Sequence, residues 1–90
     1  MEKTHALQKA VNLYAGSRLK EIRGGESRVK FGKRIEMKES LLHIYEVGEV
    51  NIPLWRLAKF AALLDVPLST FILPDDDPTL DVFKKEEAKA

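Results

Sequence analysis

The residues of this chain that could do chemistry are few, and their spacing does not suit catalysis. His5 and His43 stand far apart in sequence, and with no cysteine present a zinc site has no ligand set. Asp75, Asp76, Asp77 and Asp81 concentrate carboxylates, but the stretch lacks the central glycine and the terminal glutamate of a calcium loop. Serine, histidine and aspartate all occur without a nucleophile turn. A chain of 90 residues buries roughly 60–65 % of its unfolded surface, enough for one core and not for a separate catalytic cleft. Gly24-Gly25 follows no strand and precedes no Lys-Ser/Thr, so it is not a phosphate loop. The expectation is a protein that is not an enzyme and needs no metal or cofactor.

Charge is the more informative chemistry. The net charge of +1 conceals an asymmetry: residues 1–38 carry ten Lys/Arg against four Asp/Glu, and residues 39–90 carry five against ten. The basic group comprises Arg18, Lys20, Arg23, Arg28, Lys30, Lys33, Arg34 and Lys38. A one-sided basic field attracts a polyanion such as nucleic acid, the plain alternative being a solvated helix surface. The composition, 44 % apolar and 32 % charged, is that of an ordinary soluble globular domain. The absence of cysteine suits a reducing compartment, and no apolar run reads as a signal or a membrane span, so a cytoplasmic protein away from membranes is expected.

The elements that must carry these residues read as helices throughout. Leu7, Val11, Tyr14, Ala15, Leu19 and Ile22 recur at the helical period, giving one long helix over 4–23 or two abutting at Gly16, stopped by Gly24-Gly25. Ser27 caps a helix over 28–35 that turns Phe31 and Ile35 inward, with Met37 just beyond. A third helix over 38–47 buries Leu42 and Tyr45 and stops at Gly48. Asn51-Ile52-Pro53 opens a fourth, with proline in the first turn and a buried stripe of Leu54, Leu57, Phe60, Ala61 and Leu64. Val66-Pro67 ends it and opens a short fifth helix through Ile72. Asp77-Pro78 then caps a last helix over about 78–88, with only Leu80, Val82 and Phe83 to bury.

From Gly16 to Ile72 this series resembles the Cro/phage-repressor helix-turn-helix family, also called the XRE family. "GSRLKEIR" looks like its first helix, and "SRVKFGKRIEM" resembles the second helix and turn, with Ser27 at the cap and Gly32 at the small position where two helices cross. "ESLLHIYEVGE" resembles the recognition helix, and "NIPLWRLAKFAALLDVPLSTFI" is similar to helices four and five. The link between helices one and two is shorter than the family's, and Glu36 stands where glycine is common. Arg28 replaces a frequent glutamine, and Ile44 and Val47 replace polar residues. The resemblance implies an all-α, compact five-helix bundle of lambda-repressor-like type, with the helix-turn-helix at helices 2–3. It divides the chain into an N-terminal helical extension (1–15), the DNA-binding domain (16–73) and an acidic C-terminal tail (74–90).

The resemblance also implies roles. The third helix enters the major groove, which puts Lys38, Glu39, Ser40, His43 and Ile44 nearest base edges, while Arg28, Lys33, Arg18, Lys20 and Asn51 are candidates for phosphate contact. For Asn51, capping its own helix is the competing role. The implied partners are double-stranded DNA and a second copy of the chain, in a transcriptional regulator that represses as a dimer on a palindromic operator. Trp55 and Ala62, on the outer face of helix four, are the dimer candidates; packing of Trp55 under the tail with Val82 and Phe83, and simple surface exposure, are the other readings. The alternatives are an antitoxin, with a toxin as protein partner, or an interaction module of the same fold that no longer binds DNA, as the apolar Ile44 and Val47 would suit.

Overall fold

The computed structural model describes residues 2–89, with side chains described as far as Lys84. The protein is all-α: α1 (Glu2–Arg23), α2 (Arg28–Arg34), α3 (Glu39–Glu46), α4 (Leu54–Leu64), a single 3-10 turn (Leu68–Phe71) and α5 (Pro78–Lys89). No helix among the described residues is long and apolar enough to cross a membrane.

The apolar stripes read from the sequence converge on one core. Leu19 of α1, Phe31 of α2, Ile35 of the following turn, Leu42 of α3 and Phe60 of α4 lose all contact with solvent, and Phe71 of the 3-10 turn nearly all. Tyr45 meets Phe60 edge-on, ring centroids 6.5 Å apart, and its hydroxyl accepts a hydrogen bond from Arg56 Nη1 at 2.7 Å. A phenol can therefore sit 3 % exposed without an unsatisfied polar tip.

Two glycines allow the helices to close on each other. A Cβ at Gly16 would overlap the carbonyl oxygen of Tyr45, and one at Gly32 would overlap that of Met37. Gly16 thus sets the contact between α1 and α3 rather than a break: α1 runs through it without interruption. Gly32 lets the α2–α3 turn fold back onto α2, where the Met37 amide donates to the Gly32 carbonyl at 2.7 Å. In that turn Glu36 takes a left-handed φ of 58°, the unusual angle expected where glycine is common. Its carboxylate is paired with Lys59 Nζ at 2.8 Å, which ties the turn to α4.

Several expectations are corrected. Helix four starts one residue later than its proline: Pro53 is the cap, not the first helical residue, and Asn51 does not cap it. Leu54 is 63 % exposed instead of opening the buried stripe, although Ile52 before it and Leu57 after it are buried. The fifth helix is a four-residue 3-10 turn, closed by the Thr70 amide on the Pro67 carbonyl. The C-terminal helix packs on α1, where Lys3 lies over the Phe83 ring at 5.7 Å. Trp55 is therefore not under the tail: it stands 61 % exposed on α4, with the Arg56 guanidinium 4.7 Å from its ring centroid.

Candidate nucleic-acid interface

The pair α2–α3 carries most of the candidate residues. Ser27 caps α2 as the sequence indicates, its hydroxyl accepting from the Lys30 amide at 3.2 Å. The four residues 35–38 then turn the chain into α3, which starts at Glu39 with Lys38 at the cap position and no side-chain cap bond. Leu42 and Tyr45 anchor α3 to the core, so the helical period leaves Glu39, Ser40 and His43 on the exposed side. Ile44 is half-buried, a correction to its outward placement, and Val47 is exposed just past the end of the helix.

Arg28, Glu39, Ser40, His43 and Ile44 line one open depression between the start of α2 and the outer side of α3. Four of the five base-edge candidates and the leading phosphate candidate are thus brought together by two helices. The fifth, Lys38, is exposed at the entry to α3, and Lys30 and Lys33 are exposed on α2. Donors, an acceptor and an apolar surface here share one shallow wall, a mixture suited to hydrogen-bonding and methyl contacts with a grooved polar ligand.

The other phosphate candidates separate. Arg18 is tied to the 3-10 turn, donating from Nε to the Thr70 carbonyl at 3.2 Å and pairing with Glu21 at 3.0 Å. Asn51 donates from Nδ2 to Asn12 Oδ1 at 3.0 Å, fastening the α3–α4 link to α1. Lys20 is exposed on α1 and does not line the depression.

The sequence reading missed the residue at the centre of this region. Glu46, the last residue of α3, is 6 % exposed, and its carboxylate accepts from Arg23 Nε at 2.7 Å and Nη2 at 3.1 Å. It also accepts from Arg28 Nε at 3.1 Å, so one carboxylate joins the end of α1, the start of α2 and the end of α3. Hydrogen bonding to Glu46 raises the pKa of the Arg23 guanidinium above its already high ordinary value. The signal was available in part: Glu46 follows Leu42 by four residues, and Arg23 follows Leu19 by four, so each charge extends an apolar stripe.

Comparisons with protein-family models, with curated proteins and with solved structures return no match.

Proposed function

We propose that the protein binds double-stranded DNA and regulates transcription, with α3 presented to the major groove. The observation that carries this reading is the shared depression, where Arg28 of α2 meets Glu39, Ser40, His43 and Ile44 of α3. Lys30 and Lys33 are exposed on α2, and Lys38 is exposed at the entry to α3. In the division of labour this supports, Ser40, His43 and Glu39 read base edges, Ile44 meets a thymine methyl, and Lys38 donates to guanine. Arg28 and Lys33 hold phosphates, which supply affinity without sequence information. Arg18 and Asn51 leave the contact set, because neither lines the depression and each is tied to another part of the fold, Arg18 to the 3-10 turn and Asn51 to α1. The resemblance to the repressor family supports the same reading, along with dimeric binding to a palindromic site through the exposed Trp55 and Ala62 of α4.

A protein-partner reading, antitoxin or DNA-free interaction module, is favoured by one observation: α4 exposes Leu54 and Trp55 side by side. Both readings are separated by selecting bound sequences from a random DNA pool and titrating the winner against salt. Enrichment of one motif, with log affinity falling against log salt by about 0.9 per phosphate held, is the expected result. No enrichment together with salt-insensitive binding would move the assignment to a protein partner.

A further inference from the structure

Glu46 holds two arginines with one carboxylate, and the two are used differently. Arg23 spends all three nitrogens inside the protein: Nε and Nη2 on Glu46, and Nη1 on the Glu26 carbonyl at 2.8 Å. Arg28 spends only Nε, at 3.1 Å from Glu46 Oε1, and its side chain is 33 % exposed at the wall of the depression. A guanidinium is a rigid plane with donors on more than one edge. With Nε turned inward to a buried carboxylate, the Nη1/Nη2 edge is left to face outward. Two guanidiniums against one carboxylate also leave the cluster one positive charge in excess, and Arg28 is its most exposed member, at 33 % against 13 % for Arg23.

We propose that Arg28 is a two-sided connector, held by Glu46 through Nε and gripping a DNA phosphate through its Nη1/Nη2 edge. Glu46 is then a positioning residue for that contact, acting from the interior without touching DNA. The inference rests on the DNA-binding reading above. It explains why arginine is needed: planar bidentate recognition of phosphate is what arginine does and lysine does not. A lysine ammonium is a single point, so satisfying the buried carboxylate takes it away from the phosphate.

The test compares wild type with Arg28→Lys, Arg28→Ala, Glu46→Gln and the double variant Arg28→Ala/Glu46→Gln, on the selected DNA site across a salt series. Arg28→Lys is expected to lose roughly tenfold in affinity, close to Arg28→Ala, despite keeping the charge. Both should flatten the salt dependence by about one phosphate. Glu46→Gln adds a net positive charge, yet it is expected to bind about tenfold more weakly, and to have no further effect once Arg28 is alanine. Tighter binding by Glu46→Gln would make Glu46 a brake on Arg28 and overturn the inference. Because Glu46→Gln also takes a buried partner from Arg23, Arg28→Lys carries the test where that variant is poorly folded. An Arg28→Lys protein that binds like wild type overturns the connector while leaving DNA binding in place. A wild type that binds no DNA overturns both.

Discussion

From Ala15 to Arg23, α1 lies against α3 and the 3-10 turn, with Ala15, Gly16 and Leu19 buried; from Glu2 to Leu13 the same helix has no buried residue, its start packing on α5 and Asn12 and Leu13 at its end meeting Asn51 and Gly48. The backbone hydrogen bonds continue across the change, so the two halves differ only in what their side chains meet. In this first half Leu7, Ala10 and Val11 are half-buried, and on α5 Leu80 and Phe83 are half-buried too. Continuity of a helix is therefore no guide to where stability lies. Most helical stability comes from tertiary burial, so the second half of α1 belongs to the cooperative core and the first half to a weaker two-helix arm. The arm also accounts for the long axis of 49 Å against 23 and 22 Å across the molecule.

The same truncation made in both halves of α1 should have very different effects. Leu19→Ala, at a position with no exposure, should cost about 2–5 kcal/mol and threaten folding of so small a domain. Leu7→Ala, half-buried in the arm, should cost less than about 1 kcal/mol. Thermal melts followed by circular dichroism give both values, and equal losses would mean that the arm is part of the core.

Gly16→Ala comes next. Helix propensity alone would make it stabilising by about 1 kcal/mol, since glycine is the poorest helix former after proline. The Tyr45 carbonyl leaves no room for the added methyl, and α1 would have to move away from α3. The expected result is destabilisation by about 1–3 kcal/mol, the cost of overpacking. A gain in stability would mean that Gly16 does not set the approach of α1 to α3.

Removal of residues 74–90 is expected to do less to the core. Hydrogen exchange should show amides of 2–13 losing protection, while those around Leu42 of α3 keep theirs and the melting temperature falls by under about 8 °C. Uniform loss of protection along α1 would merge the two regions.

Much of the core was legible because a buried stripe at the helical period needs no knowledge of its partner: Phe31, Leu42, Phe60 and Leu19 announce their faces locally. Caps and stops were legible for the same reason, as at Ser27, Gly24 and Gly48. Leu54 fits the stripe of α4 and is still exposed, because periodicity gives a direction and not how far the neighbouring helices extend. The exposed side of α3 followed from its buried side. The partners of Arg18, Asn51 and Arg28 did not, since they come from 52, 39 and 18 residues away. Long charged side chains choose among several surface destinations, and which of them becomes an internal tie depends on the assembled fold. Two phosphate candidates were lost to such ties, and a third gained a buried partner.

The smallest expected effect concerns the end of the arm, where α5 begins. Asp77 Oδ1 accepts from the Thr79 amide at 2.9 Å and from the Thr79 hydroxyl, and these bonds, the hydroxyl first, hold its carboxyl below the usual range. A carboxylate whose pKa is lower folded than unfolded stabilises the fold fully above its unfolded value, about 3.9. That contribution disappears as pH falls through the folded value. Acid should therefore loosen the start of α5 and its hold on α1 while the core around Leu42 stays closed. The measurement is hydrogen exchange or NMR of the amides from Leu80 to Phe83 between about pH 5 and pH 2.5. Asp77→Asn keeps a good cap without a titrating group, so those amides should respond much less to acid in that variant. If wild type and Asp77→Asn lose protection together, the cap is not what ties the arm's stability to pH, and α5 would have to be held by its contacts with α1 alone.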